Sequence, residues 1–156
     1  MTSASVRLAK LGISLPQVPP PVAAYVPAMR VGDTVWTSGQ LPIVDGELVA
    51  TGKVGQGEGL IDPERAAGLA RTAALNALAA VAAKVGSIDA VSQVIKVTGF
   101  VASDPAFTGQ AAVMNGASEL LGEVFGAVGV HARSAVGVAV LPLDAPVEVE
   151  LVVAVR

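Results

Sequence analysis

The sequence contains no cysteine and a single histidine, His131. The absence of cysteine excludes disulfide bonds, thiolate metal ligands and a cysteine nucleophile. Zinc sites draw mostly on histidine and cysteine, so a single histidine disfavours a zinc site as well. Any catalysis must therefore use carboxylates, hydroxyls, arginine, backbone groups and water, and we expect neither a metal nor another cofactor.

Charged residues are scarce. They make up 15% of the chain, against about 25% in an ordinary globular protein. The net charge is −3 and the basic residues form no cluster. Nucleic acid binding by counterion release needs a basic surface, so this class of partner is disfavoured. Hydrophobic residues reach 53%. Either a homo-oligomer covers apolar surface, or alanine inflates that count.

The length of 156 residues is typical of one domain. We find no apolar run continuous enough to cross a membrane, because Asn76 and Lys84 interrupt the most hydrophobic stretch. Residues 1–22 contain four prolines and lack the apolar segment of a signal peptide. We therefore expect an extended leader over 1–22 that packs on a single domain over 23–156, in a cytoplasmic protein.

Turn and cap residues divide the domain into elements in the order ββ(β)–α–β–α–ββ. Asp45-Gly46 is a strong hairpin signal. Asp62-Pro63 predicts the start of one helix, and Asp104-Pro105 predicts the start of a second. This order indicates an α+β fold with both helices on one face of the sheet. We expect Trp36, the single tryptophan, in the core.

The last two predicted strands carry charges among small and aliphatic residues. Alternation puts Arg133, Ala135 and Gly137 on one face, away from a core face formed by the valines of the same strand. The small neighbours leave a hollow beside the guanidinium, and such a hollow suits a carboxylate held by two parallel hydrogen bonds. The alternative is a structural ion pair with Glu148 or Glu150.

Glu148 and Glu150 share one face of the final strand. If the last two strands pair as a hairpin, both carboxylates fall on the same face as Arg133. They then resemble a solvated cross-strand pair, worth under about 1 kcal/mol. They equally resemble a general acid or base beside an anion clamp. The pattern leaves both interpretations open.

Four other residues have a functional and a structural interpretation. Gly39 permits close approach of a ligand to the backbone, or it marks an ordinary strand end. Asn115, on the second helix, is a ligand contact or a surface amide. Tyr25 reads as a core ring with a hydrated hydroxyl. His131 falls in a predicted loop, and the pattern assigns it no role.

Three segments follow one another in a recognisable order: VGDTVWTSGQLP, VIKVTGFVASDPAFTGQAAVMN and HARSAVGVAVLPLDAPVEVE. Together they resemble the Rid family of reactive intermediate deaminases, also called the YjgF or L-PSP endoribonuclease-like family. ARS…V…LP…VEVE is the most specific motif, and SGQ-x-P the second. The likeness runs from about Tyr25 to the C-terminus, and the leader resembles a longer, less characterised branch.

The resemblance implies a chorismate mutase-like fold of the bacillus type, with a mixed sheet and two helices on one face. It implies a homotrimer whose sheets form a central barrel, with a site in each cleft between subunits. The reaction it implies is hydrolysis of reactive enamines or imines to 2-keto acids and ammonia. Carried over by position, Arg133 clamps the substrate carboxylate and Glu148 holds or activates water. The implied substrate-binding residues are Tyr25, Gly39, Asn115 and the backbone at Ala135.

Three positions depart from the family pattern. Ala135 stands where many members carry cysteine, His131 where many carry proline, and Gly137 where an acid is common. These changes remove side-chain groups, and they favour a second hypothesis of a trimeric carboxylate- or keto acid-binding protein without turnover. Ribonuclease activity, suggested by one family name, is disfavoured by the acidic pI of about 5.0.

Overall fold

The computed structural model describes residues 2–19 and 24–156. The domain boundary predicted between residues 22 and 23 lies outside the described residues. The described helices are α1 Ala4–Lys10, α2 Pro63–Val85 and α3 Gln110–Phe125. The strands are β1 Ala28–Val31, β2 Thr34–Thr37, β3 Ile43–Val44, β4 Glu47–Leu48, β5 Val91–Ala102, β6 Ala132–Val138 and β7 Val147–Val155.

Five of these strands form one mixed sheet in the order β1-β2-β7-β5-β6. All neighbours are antiparallel except β5 and β6, which run parallel. Helices α2 and α3 cover one face, here called the helix face, and β3 and β4 form a separate hairpin. The predicted α+β class, the mixed sheet and the two helices on one face are confirmed, and α1 is a third helix.

The core lies between the helix face and the two long helices. Every second residue of β7 is buried, because a strand alternates its side chains between two faces. Helix α2 buries ten residues, most of them alanine, so its backbone can lie close to the sheet. By length and composition alone α2 could cross a membrane, and 56% of its most apolar window is buried here. That burial is typical of a core helix.

The leader begins with a helix. Ser3 caps α1 by accepting a hydrogen bond from the Val6 N–H, and Leu8 is buried against the domain. The Ser5 N–H and hydroxyl donate to the carboxylate of Asp89, at 2.8 and 2.6 Å. These hydrogen bonds hold the pKa of Asp89 below its ordinary value. The extended conformation predicted for the leader is therefore wrong for Ala4–Lys10.

Helix α3 also differs from the prediction, because it begins at Gln110 rather than directly after Asp104. The Asp104 N–H donates to the Val54 carbonyl, and its side chain accepts from the Ala106 N–H. The Asp104 carbonyl then accepts from the Phe107 N–H. These contacts tie the segment into a turn, so the helix starts later than the Asp-Pro pair predicts.

The second face of the sheet, here called the open face, is covered by no element among the described residues. Trp36, expected in the core, lies on it with 55% of its surface exposed. The strand register places further residues on this face. They are Met29, Val31, Lys96, Thr98, Phe100, Ser134, Val136, Val138, Glu148, Glu150 and Val152. The open face is therefore broadly apolar, with charges confined to β5 and β7.

Candidate functional site

The pairing of β6 decides which way Arg133 points. β6 lies parallel to β5, with Arg133 opposite Val97 and Ala135 opposite Gly99. Val97 is fully buried on the helix face, so Arg133 and Ala135 point to the helix face too. The predicted orientation of Arg133 is therefore wrong. Val136, assigned to the core by the same alternation, is 45% exposed on the open face.

The small residues of β6 have a different role from the predicted one. Ala135 packs against the core beneath α3. A Cβ added to Gly137 would lie 2.8 Å from Nε2 of Gln110, at the start of α3. Ala135 is half-buried and Gly137 is exposed, so side chains at the start of α3 cover these positions only in part.

Glu148 and Glu150 lie on the open face. β7 pairs with β5, which puts Glu148 opposite Phe100 and Glu150 opposite Thr98. The predicted hairpin between β6 and β7 does not form, because β5 lies between them. The strands are thus about 10 Å apart, twice the usual spacing. Arg133 and Glu148 of one chain stand on opposite sides of the sheet.

Helix α3 holds the Arg133 guanidinium from one side. Nη1 donates to Oδ1 of Asn115 at 2.9 Å and to Oγ of Ser118 at 3.1 Å. Nη2 donates to the Ala111 carbonyl at 3.2 Å. An arginine has five N–H donors. Nε–H and one N–H of Nη2 find no acceptor within the described part of the chain, and two such donors suit a bidentate carboxylate.

His131 lies next to this group. Its Nε2 is 2.9 Å from Oγ of Ser118, and its Nδ1 is 2.6 Å from the Gly129 carbonyl. We call Arg133, Asn115, Ser118 and His131 the arginine cluster. The sequence reasoning missed Ser118, although Ala111, Asn115 and Ser118 follow the four- and three-residue spacing of one helix face.

Gly39 and Glu148 form a second group on the other side of the sheet. A Cβ on Gly39 would lie 2.6 Å from Cδ of Glu148, so only glycine leaves room for this carboxyl. Gln40 and Val149 exchange both backbone hydrogen bonds, at 2.8 and 2.9 Å, and hold Gly39 against β7. Gly39 therefore lies directly beside the Glu148 carboxyl, and its predicted contact with a ligand stays a prediction.

Tyr25 belongs to the same end of β2. The Ser38 hydroxyl donates to the Val26 carbonyl at 2.6 Å, which ties the segment next to Tyr25 to the residue before Gly39. The Tyr25 side chain is 59% exposed, so the interpretation as a core ring is wrong. We call Gly39 and Glu148 the glutamate cluster, and the substrate-binding role of Tyr25 stays a prediction.

The electrostatics of Glu148 differ from those of an ordinary surface carboxyl. Burial raises its pKa above 4.5, and the nearby Glu150 charge raises it further. The ion pair with Arg133 is not formed, and the salt bridge seen among the described residues joins Arg71 to Glu123. Lys96 donates instead to Ser134. Glu148 is therefore a carboxyl that retains its proton more readily than usual.

Replacement of Glu150 by glutamine is expected to lower the pKa of Glu148, because one neighbouring negative charge is removed. Part of the elevation should remain, since burial is the larger cause. Carboxyl 13C NMR of the glutamates across a pH titration measures both midpoints. Glu119→Gln, an exposed change on α3, is the control and should leave the Glu148 midpoint unchanged. An equal shift in both variants would contradict the assignment.

The raised pKa of Glu148 also makes the stability of the fold depend on pH. The native protein binds the Glu148 proton more tightly than the unfolded chain does. Stability from this group is therefore greatest at low pH, and it declines as pH rises from the ordinary value of 4.5 towards the raised one.

Fold and site together define the class of protein. It is an α+β protein with one mixed sheet and two helices on one face. On the helix face lies an arginine with two N–H donors that meet no acceptor among residues 2–19 and 24–156, and on the open face lies a carboxyl with a raised pKa.

Comparison with known proteins identifies the family. The profile of the family described as "YjgF/chorismate_mutase-like, putative endoribonuclease" matches residues 5–155, and the chain belongs to this family. The family indicated by the SGQ-x-P and ARS motifs is thereby confirmed.

Three relatives illustrate the range of likeness. Protein TCP17 of Trypanosoma cruzi is 43% identical over 148 residues, which cover 94% of this chain and 91% of TCP17. Atu1372 of Agrobacterium tumefaciens, of unknown function, is 42% identical with a TM-score of 0.89, over 98% of this chain and 92% of its own. TdcF of E. coli, crystallised with bound serine, is 30% identical with a TM-score of 0.64, over 90% and 94% respectively.

Proposed function

We propose that the protein hydrolyses reactive enamines or imines of amino acid origin to 2-keto acids and ammonia. Arg133 binds the substrate carboxylate, and Glu148 positions and activates water. The state of the Arg133 guanidinium is the observation that carries this proposal. Three of its five donors are occupied by α3, and two remain for a ligand. Bound serine in TdcF, a relative, supports an amino acid-like ligand.

The chemistry requires few groups. An imine carbon is already electrophilic, so a well-placed water attacks it directly. Glu148 accepts a proton from that water as the C–O bond forms, and it returns the proton to the nitrogen of the resulting carbinolamine. The carbinolamine hydroxyl then passes its own proton, through Glu148, to the nitrogen as the C–N bond breaks and the C=O bond forms. Ammonia leaves and the keto acid remains. A carboxyl with a raised pKa suits this exchange, because its carboxylate is a stronger base than an ordinary one and can return the proton that it accepts.

We further propose that each site is completed by two chains of a cyclic homotrimer. Arg133 and Glu148 stand on opposite sides of one sheet, so one chain cannot apply both to a single substrate. The open face, with exposed Trp36 and Val136, is the apolar surface that a second copy covers. In such an assembly the arginine cluster of one chain faces the glutamate cluster of the next.

Mixing two inactive variants tests this arrangement. We expect Arg133→Ala and Glu148→Gln each to lose most of the activity alone. When the two chains are unfolded together in equal amounts and reassembled, about one quarter of the sites receive both intact residues, whatever the number of subunits in a cyclic ring. The assay generates the imine with an amino acid oxidase and follows keto acid release against the spontaneous rate.

Recovery of about one quarter of the wild-type rate supports a shared site. No recovery, from variants that each reassemble to the wild-type mass, would show that both residues act within one chain or not at all. Reassembled wild-type protein, carried through the same procedure, is the control for losses during refolding. Wild-type protein that fails to speed keto acid release contradicts the deaminase itself.

A second function is supported by the positions of β6 that face the helices, where no polar side chain accompanies Arg133. Ala135 and Gly137 offer no group for proton transfer on the helix face. A protein that binds a carboxylate or keto acid without turnover would need only the arginine cluster. Pyruvate binding without imine hydrolysis in wild-type protein would favour this function.

A further inference from the structure

The arginine cluster contains a continuous chain of hydrogen bonds that ends on the backbone. The Arg133 guanidinium contacts Ser118 at 3.1 Å, Ser118 contacts His131 at 2.9 Å, and His131 contacts the Gly129 carbonyl at 2.6 Å. His131 and Ser118 are both half-buried. The chain therefore links the guanidinium to the turn that precedes β6.

The direction of each hydrogen bond follows from its ends. A carbonyl only accepts, so Nδ1 of His131 carries the proton that Gly129 receives. In a neutral imidazole Nε2 is then an acceptor, and the Ser118 hydroxyl donates to it. The Ser118 oxygen keeps its lone pairs for Arg133, which can only donate. Every donor in the chain thus meets an acceptor when His131 is neutral in this one tautomer.

The far end of the chain is rigid. A Cβ at Gly129 would overlap the Leu121 carbonyl, and it would lie 3.2 Å from Cβ of Phe125. Gly129 is therefore wedged against the end of α3 and fixes the position of its own carbonyl. That carbonyl orients the imidazole ring, and the contact from Nε2 of His131 to Ser118 is the link that acts on Nη1 of Arg133.

We propose that His131 and Ser118 are positioning residues for Arg133. They hold Nη1 against α3 so that Nε–H and the free N–H of Nη2 stay directed at the ligand carboxylate. The inference rests on the proposed function, since it concerns the same carboxylate site. The carboxylate is bound equally before and during the reaction, so loss of positioning raises KM or Kd and leaves kcat nearly unchanged.

Two amide substitutions of His131 separate the two ends of the ring. In His131→Gln the amide reaches the position of Nε2 and retains the contact with Ser118. In His131→Asn the amide occupies the position of Nδ1 and retains the contact with Gly129 alone. We expect His131→Asn and Ser118→Ala to weaken pyruvate binding about three- to tenfold, as for loss of one hydrogen bond, and His131→Gln to stay within about twofold. kcat should change less than about twofold in all three.

A spectroscopic measurement tests positioning without reference to activity. His131 is the only histidine, so its ring nitrogens need no assignment. Long-range 1H–15N NMR should show protonation at Nδ1 and a free Nε2. Exchange of the Arg133 Nη nitrogens by rotation about Nε–Cζ should be slow in wild type and His131→Gln, and faster in His131→Asn and Ser118→Ala.

The outcomes test the positioning role of His131 and Ser118 separately from carboxylate binding by Arg133. Protonation at Nε2, or Arg133 rotation that is identical in all variants, overturns the positioning role whatever the protein binds. If Arg133 rotation differs among the variants as expected but the wild-type protein does not bind pyruvate, the positioning role is upheld and the carboxylate clamp is contradicted. Equal affinity loss in His131→Gln and His131→Asn, with matching thermal unfolding, also overturns the inference.

Discussion

Replacement of Arg133 by alanine is expected to lower kcat/KM for a carboxylate-bearing imine by about 100-fold, the equivalent of about 3 kcal/mol. The variant loses both free donors and the positive charge, and a bidentate, charge-assisted contact is among the strongest that a side chain can offer. The assay is keto acid release from an oxidase-generated imine. Binding of pyruvate, measured by calorimetry, should fall in parallel.

The fold should tolerate this change. The Asn115 side chain and the Ala111 residue that accept from Arg133 are exposed, so water can replace the guanidinium there. Arg133→Lys keeps the positive charge but lacks the paired N–H donors of the guanidinium. Its kcat/KM should therefore lie between those of the wild type and Arg133→Ala. Arg30→Ala removes another exposed arginine, at the edge strand β1, and should leave kcat/KM unchanged. A fully active Arg133→Ala protein would rule out the carboxylate clamp.

Replacement of Gly116 by alanine is expected to destabilise the protein by about 3 kcal/mol. Helices α2 and α3 touch at this position. An added Cβ would lie 2.6 Å from the carbonyl carbon of Ala67 and nearer still to its oxygen. Backbone cannot rotate away as a side chain can, so the helices must separate. The free energy of unfolding in urea measures the loss.

Gly122 provides the matched control on the same helix. Nothing lies within 4 Å of a Cβ added there, and its backbone angles are helical. Gly122→Ala should therefore be neutral or stabilising by up to about 1 kcal/mol, because alanine favours the helix. Equal loss in both variants would show that the cost arises from helix α3 itself and not from its contact with α2.

Elements with local signals could be predicted from the sequence. Asp45 and Gly46 adopt φ of 52° and 84°, as the Asp-Gly hairpin signal requires. Asp62 caps α2 with Pro63 in its first turn. Asp104 gave the same local signal, but its backbone is bound to Val54, fifty residues earlier along the chain. Such a distant partner leaves no trace in the local pattern.

Sequence periodicity alone could not predict which face of β6 is covered by the helices. Alternation shows that Arg133 and Val136 point to opposite sides, and it does not show which side the helices cover. The valines of β6 suggested the core because they are apolar, yet Val136 lies on the open face. The pairing with β5 decided the question. The connection from β6 passes through Leu143 and Asp144, with φ of 60° and 59°, to reach β7 on the far side of β5.

The sequence motifs named candidate site residues and did not predict how the fold arranges them. The motifs pointed to Arg133, Glu148 and Gly39. The structure joins Gly39 to Glu148 and joins Arg133 to α3. The relationship between the two groups depends on the sheet order, which is a non-local property. The four- and three-residue spacing assigns Ser118 to the same helix stripe as Met114 and Leu121, and that pattern gives it no role in a site.

In the proposed homotrimer, the placement of the two clusters on opposite sides of one sheet would make activity depend on at least two chains at once. A chain separated from its partners would keep its core, but each side of its sheet would carry only one of the two clusters. Specific activity should then depend on protein concentration, and a polar substitution at Trp36 could silence the enzyme without touching either cluster. Inherited loss of function would, in such a protein, fall as readily on the shared surface as on the residues that meet the substrate.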